Sequence, residues 1–255
     1  MIDTHTHLCD PIFNNDRAMV LAKARQAGVT HVISVSETIA DVKYNLKLAE
    51  IHPEVFPAAG LYPANLDLEE AAQIRALVEK KTEQLVAIGE VGLDYWVVKE
   101  EEEREIQREI FKSFIDLSKE TNLPLNIHSR SAGKNVIEML LENNARAVQL
   151  HAFDGKASSA LPAVEAGYYF SIPTSIIRST QKQKLVRQLP LSAMLLETDS
   201  PVLGADPEAR NEPANITIAL DAIAEIKDCA KDEVLEVVTE NTLNLYPKLR
   251  RELEY

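Results

Sequence analysis

Two histidines one residue apart, His5 and His7, stand directly behind a short apolar start in Asp3-Thr-His5-Thr-His7. If that start is a strand, both side chains point to one face, because strand side chains alternate with period 2. Neutral imidazoles converging from one strand end make half of a metal site. Four later residues extend the set. Glu90 follows the apolar run Val86-Ala-Ile-Gly89, where a carboxylate is costly unless it is paired or binds a metal. His128 ends Leu123-Pro-Leu-Asn-Ile127 and His151 ends Ala147-Val-Gln-Leu150. Asp199 lies three residues past Leu196, in Glu197-Thr-Asp199-Ser-Pro201. Two histidines do not fit this pattern: His31 begins an apolar run and His52 sits beside Pro53, and both are assigned to structure.

Four imidazoles and two carboxylates exceed the four ligands of a closed structural zinc. They suit two divalent cations about 3.5–4 Å apart with one carboxylate bridging. Glu90 is the expected bridge, since its strand lies in chain order between the two pairs of histidines. His5, His7 and Asp199 are expected around one ion, and His128 and His151 around the other. Two carboxylates against two dications leave a formal charge of about +2, which attracts a phosphate. Such an ion lowers the pKa of water from about 15.7 to about 7. Asp199 is expected to orient that water or accept its proton. The chemistry implied is metal-assisted hydrolysis.

These residues need a frame that brings strand ends together. Short apolar runs alternate with amphipathic stretches along the chain, and eight are strand candidates. They are Met1–Thr4, His31–Val35, Val55–Gly60, Leu85–Gly89, Leu125–Ile127, Ala147–Leu150, Tyr168–Ile172 and Ala193–Leu196. Helical spacing falls between them: Val20, Leu21, Ala24 and Ala27 precede Gly28, a helix stop. The longest stretch is Glu101–Thr121, with Ile106, Ile110, Phe114 and Leu117 on one stripe. Two more helices, Ile216–Lys227 and Asp232–Thr242, precede a short charged tail. The pattern admits a closed barrel or an open doubly wound sheet. No Gly-x-Gly-x-x-Gly turn follows the first strand, which weakens the second. In a barrel, reacting residues lie at the C-terminal ends of several strands and face one mouth. The expectation is therefore a single (β/α)8 TIM barrel, one domain over residues 1–255.

Composition limits the partners. A net charge of −13 repels nucleic acid in general, so attraction to a phosphodiester has to be local. The run Glu100 to Glu103 complements the positive end of the helix that begins there. Two cysteines, Cys9 and Cys229, are too few for a disulfide framework. No run reaches the roughly 18 apolar residues of a membrane span, and no secretory leader is apparent, so a cytoplasmic protein is expected. Oligomeric state is not legible.

The chain also resembles the TatD-like metal-dependent deoxyribonucleases of the amidohydrolase-type barrels. The matching segments are Asp3-Thr-His5-Thr-His7, Ala87-Ile-Gly-Glu90-Val-Gly-Leu-Asp94-Tyr95 and Pro124-Leu-Asn-Ile-His128-Ser-Arg130. His151-Ala-Phe153-Asp-Gly155, Glu197-Thr-Asp199-Ser-Pro201 and Arg210-Asn-Glu-Pro213 follow, and Gln107 and Phe111 also fit. The resemblance implies a barrel holding two divalent ions, usually Mg, Mn or Zn, and phosphodiester hydrolysis with 3′-to-5′ exonuclease action on DNA. It implies metal roles for His5, His7, Glu90, His128, His151 and Asp199. Tyr62 stands where many family members carry His, and Ala152 and Asp154 replace the commoner Cys and Ser.

Near the expected mouth, Arg130 could hold a phosphate bidentately, and Tyr62, Tyr95 and Trp96 could stack on bases. Arg210 is expected to anchor the loop after the last strand. Two other readings stand beside the nuclease. One is a barrel hydrolase of amide or ester bonds, including aminoacyl esters; many of those bridge their metals with a carbamylated Lys, and Glu90 holds that position here. The other is a silent scaffold, which should lack at least one of the six residues.

Overall fold

Parallel strands covered on both faces are apolar almost throughout; Val55–Ala59 and Met194–Leu196 follow that rule fully, whereas Ile2–Thr6 is buried but has Ile2 as its one apolar residue. In the computed structural model, which describes residues 1–252, the eight strands form one parallel sheet in chain order. The strands are β1 (Ile2–Thr6), β2 (His31–Ser34), β3 (Val55–Ala59), β4 (Ala87–Gly92), β5 (Leu125–His128), β6 (Val148–Leu150), β7 (Tyr169–Ile172) and β8 (Met194–Leu196). Past β8 the chain meets β1 again. Thr6 forms a parallel bridge with Ser200, and the Asp199 N–H donates to the His5 carbonyl at 2.9 Å. The sheet is thus a (β/α)8 barrel. The end of the charged tail, residues 253–255, lies outside the described residues.

Nine α-helices accompany the described strands: α1 (Arg17–Gln26), α2 (Ile39–Ile51), α3 (Leu68–Lys81), α4 (Glu101–Thr121), α5 (Gly133–Glu142), α6 (Leu161–Glu165), α7 (Thr180–Gln188), α8 (Ile216–Lys227) and α9 (Lys231–Leu245). The bounds of α4 and α8 are those read from the sequence. Carboxylates Glu101, Glu102 and Glu103 occupy the first turn of α4, where the exposed N–H groups favour negative charge. Asn122, in the left-handed region at φ +56°, ends it. Ile110, Phe114 and Leu117 are buried, and Ile106 packs partly buried against them.

Two strand limits differ from expectation where it matters. β1 runs to Thr6 rather than Thr4, and β4 covers Ala87–Gly92 rather than Leu85–Gly89. His5 and Glu90 therefore lie inside strands, not behind them. Polar side chains suggested strand ends, but the backbone stays bonded to its neighbours: Glu90 N–H donates to Ser36 O at 3.1 Å, and Ser36 N–H to Gly89 O at 3.2 Å.

A second apolar cluster closes the lower end. Ile2, Phe56 and Val86, near the strand N-termini, pack with Leu243, Leu245, Tyr246 and Leu249. From there the Tyr246 hydroxyl reaches into the barrel and donates to Gln149 Oε1 at 2.5 Å. Gln149 in turn donates to Ser171 Oγ at 2.8 Å, and Ser171 to Glu197 Oε2 at 2.6 Å. A buried polar chain thus supports the mouth from below, each member satisfied by the next.

Glu90 also depends on Gly60. A Cβ at Gly60 would fall within 2.6 Å of the Glu90 nitrogen and closer still to its carbonyl oxygen, both backbone atoms that cannot rotate away. Gly60→Ala is expected to cost about 1–3 kcal/mol in urea unfolding, the usual range for overpacking. An unchanged unfolding midpoint would contradict this account of the β3–β4 contact.

Candidate metal centre

The structure brings all six expected residues to one mouth of the barrel. Glu90, 2% exposed, stands at the middle. Its Oε2 lies 3.8 Å from His5 Nε2 and 3.6 Å from His7 Nε2. Its Oε1 lies 2.5 Å from His128 Nδ1 and 3.1 Å from His151 Nε2. One carboxylate oxygen thus faces each histidine pair. Asp199 joins the first pair, with Oδ1 3.5 Å from His5 Nε2 and 3.2 Å from His7 Nε2. The sets His5–His7–Glu90, Glu90–His128–His151 and His5–His151–Asp199 each keep their candidate ligand atoms within 4.8 Å of one another.

Two of the imidazoles bond an acceptor through their other nitrogen, and two face a carboxylate beyond hydrogen-bond length. His5 Nδ1 is 2.7 Å from Asn126 Oδ1, and His128 Nε2 is 3.1 Å from Asp94 Oδ2. His7 Nδ1 points toward Glu37 at 3.6 Å, and His151 Nδ1 toward Glu197 at 3.8 Å. An outer acceptor favours the tautomer with its proton on the outer nitrogen, which leaves the inner lone pair facing the cluster. That arrangement suits a cation. The inner nitrogens of His5 and His7 are 3.3 Å apart, as are those of His128 and His151. Two bare lone pairs at that distance repel unless a proton or a metal ion lies between or beside them. Asp199 Oδ1 is buried without hydrogen-bond geometry to any partner among the described residues, and so is His151 Nδ1.

The titration of the metal-free cluster points the same way. Burial opposes charge on His7, but Asp199, Glu90 and Glu37 outweigh it and raise its pKa to about 10. Burial likewise opposes charge on His128, yet Glu90 and Asp94 raise it to about 9. Burial and the neighbouring His151 drive His5 down to about 3. Glu90 stays well below the usual carboxylate range: burial works against it, but His128 and His151 prevail. Protons thus occupy, in the metal-free state, a place whose field favours positive charge. A donor set of imidazole nitrogen and carboxylate oxygen fits divalent ions such as Mn or Zn.

Above the cluster lies a cavity of about 500 Å³ whose lining includes Tyr62, Arg130, Lys182 and Val202. Tyr62 does not project freely into it. Its hydroxyl donates to Asp94 Oδ2 at 2.8 Å, and its ring packs edge-on to His128. Arg130 is exposed at the rim and has no carboxylate in ion-pair range among the described residues; its guanidinium lies 5.3 Å from the Trp96 ring centre. Tyr95 is not among the lining residues: its hydroxyl accepts from Arg108 at 3.1 Å and Arg104 lies 4.2 Å from its ring. Arg210 anchors its loop through Asp16 at 2.6 Å and Glu212 at 2.8 Å. The Cys9 thiol turns to Val35 O, away from the donors.

Asn126, Glu37, Asp94, Glu197 and Lys182 carried no role in the sequence reading. Asp94 Oδ1 also accepts the N–H groups of Trp96 and Val97, and Gln107 Oε1 accepts the Asp94 N–H at 3.2 Å. Lys182 donates to Ala152 O and Phe153 O, pinning the loop after His151, while Glu197 accepts the Ala152 N–H at 2.8 Å. Polar residues inside apolar strands, such as Asn126 in Leu125–His128, were the available signal.

The pattern of the family described as "TatD related DNase" matches residues 2–247. A human protein named Deoxyribonuclease TATDN3 is 44% identical over 266 residues, covering 100% of this chain and 97% of that protein. A Bacillus subtilis protein named Uncharacterized metal-dependent hydrolase YabD is 32% identical, covering 96% of this chain and 98% of its own length. Among solved structures, the TatD homologue YJJV of Escherichia coli superposes with a TM-score of 0.89 at 27% identity, over 97% of this chain and 98% of that one.

Two outcomes test the centre. Adding Mn²⁺ to metal-free protein should raise its melting temperature, with about 2.7 kcal/mol of stabilisation at an ion concentration 100 times Kd; His5→Ala should abolish most of the shift. Asp94→Asn should weaken ion affinity about 10- to 100-fold, as loss of a histidine's outer partner does. Equal affinity for wild type and D94N in calorimetric titration would remove Asp94 from this role.

Proposed function

The chain belongs to the TatD-related DNase family of metal-dependent hydrolases, and from that premise we propose that it hydrolyses phosphodiester bonds of DNA, trimming strands from the 3′ end. The observation that carries this reading is the two-sided placement of Glu90, with one oxygen toward His5 and His7 and the other toward His128 and His151. In this reading His5, His7, Asp199 and Glu90 Oε2 hold one divalent ion, and His128, His151 and Glu90 Oε1 hold a second. Mg, Mn or Zn are the candidates. Ions so held supply Lewis-acid chemistry, acidifying a water and stabilising charge on phosphoryl oxygens.

The remaining work falls to the chain. Burial disfavours ionised Asp199, but His7 and His5 keep its pKa below the ordinary value, so it is a carboxylate at neutral pH and can take a proton from the attacking water. Asn126, Glu37, Asp94 and Glu197 orient the four imidazoles. Tyr62 acts on His128 through Asp94. Arg130, free of carboxylate partners among the described residues, offers two parallel N–H donors to a phosphate at the rim. The cavity volume of about 500 Å³ suits a strand end rather than a duplex, and the acidic surface gives no extended track for DNA. One domain over residues 1–255, working in the cytoplasm, completes the reading. No helix of the described residues is long and apolar enough to cross a membrane.

The test is a digest of oligonucleotides labelled at either end, single- and double-stranded, across Mg²⁺, Mn²⁺ and Zn²⁺. Stepwise shortening from the 3′ end is expected, with Asp199→Asn slower by about 10²- to 10⁴-fold, the range for a lost general base. Metal-loaded protein that cleaves no oligonucleotide but turns over an aminoacyl ester or N-acyl compound would overturn the reading.

A further inference from the structure

Three aromatic residues stand near the mouth, and two of them are already engaged. Tyr62 is held by Asp94 and packed on His128, and Tyr95 is engaged by Arg104 and Arg108. Trp96 is different: 58% of its surface is exposed, and its neighbour Val97 is exposed as well. The exposure is not that of a loose side chain on a loose loop. Asp94 Oδ1 accepts the Trp96 and Val97 N–H groups at 2.9 Å each, and the Tyr95 N–H donates to Arg130 O at 2.9 Å, so the turn is capped from within and fastened to the loop after β5.

Two cations flank the indole. The Arg130 guanidinium carbon lies 5.3 Å from the ring centre and Lys99 Nζ 5.1 Å from it. Neither has a carboxylate within ion-pair distance among the described residues, in a chain whose net charge is −13. Arg130 also lines the cavity, so the aromatic face and the candidate metal centre share one residue between them. An exposed indole with two cations over its ring, joined through Arg130 to the cavity, has the two parts that single-strand binding uses: stacking for the base and charge for the backbone.

We propose that Trp96, with Arg130 and Lys99, is a stacking platform for a nucleobase of the strand whose phosphodiester enters the cavity, so that the substrate is a single-stranded or frayed end. This rests on the phosphodiesterase reading and deepens it by naming the part of the chain that grips the base. A base paired inside an intact duplex presents no free face to Trp96, whereas an unpaired base next to a phosphate held at Arg130 does.

Trp96 is the only tryptophan in the chain, so intrinsic fluorescence reports the platform directly. The metal-loaded protein is titrated with a non-cleavable phosphorothioate single strand, an RNA of the same sequence, a blunt duplex and inorganic polyphosphate. Quenching by one or both single strands is expected, with little from the duplex or the polyphosphate; quenching by only one keeps the platform and names its strand. Trp96→Ala should weaken single-strand binding and raise KM about five- to twentyfold, at the low end of base stacking on an aromatic. Its kcat should stay within about twofold, its hydrolysis of methyl 4-nitrophenyl phosphate should be unchanged, and Trp96→Phe should restore most of the loss. Equal quenching by polyphosphate, or Trp96→Ala binding and cleaving DNA as wild type does, overturns the platform while leaving the phosphodiesterase intact. Quenching without hydrolysis of any phosphodiester leaves the platform and overturns the activity.

Discussion

The Glu90 carboxylate is placed where a lone charge could not persist. Taking an ionised carboxylate out of water costs several kcal/mol even after the protein relaxes, and Glu90 is almost completely enclosed. It stays ionised because imidazoles approach both of its oxygens, from β1 on one side and from β5 and β6 on the other. The imidazoles in turn face one another with nitrogens 3.3 Å apart, a spacing that a shared proton or a metal ion beside them relieves. Carboxylate and imidazoles therefore support each other, and together they form a donor set that could hold a metal ion. The barrel supplies the geometry: parallel strands in chain order bring positions 5, 90, 128 and 151 to one rim.

Around this centre, a few side chains each serve two purposes. Asp94 accepts from Tyr62, lies against His128 and caps the turn that carries Trp96, so one carboxylate sets the attitude of a candidate ligand and of the rim. Gln107 reaches from α4 to the Asp94 backbone and to Pro63 O at 2.7 Å, tying the longest helix to that same corner. Glu197, which burial pushes up to about 7, sits between the polar chain inside the barrel and the loop after His151. Rigidity at the mouth thus comes from hydrogen bonds that run in from several elements at once, which is what a preorganised hydrolytic site needs.

Much of this was legible in the sequence, for an identifiable reason. Strands buried on both faces announce themselves as apolar runs, and a polar residue that interrupts or ends such a run is conspicuous; Glu90, His128 and His151 stand out on that ground, and His5 by its spacing from His7. The bounds of α4 followed from its acidic first turn and its apolar stripe. What stayed hidden were the partners. Asn126 lies 121 residues from His5 and Asp94 lies 34 from His128, and nothing in local composition says which barrel positions will touch. The aromatic residues were hidden for a different reason. Whether Tyr95 or Trp96 turns to solvent depends on one residue of phase in a turn fixed by Asp94, and the sequence offers no period there to count.

The most direct test of the central claim is anomalous diffraction from crystals of the protein grown or soaked with Mn²⁺. Two peaks are expected, one on each oxygen of Glu90, the first also touching His5, His7 and Asp199 and the second His128 and His151. A single peak, or peaks that leave Glu90 uncoordinated, would contradict the account.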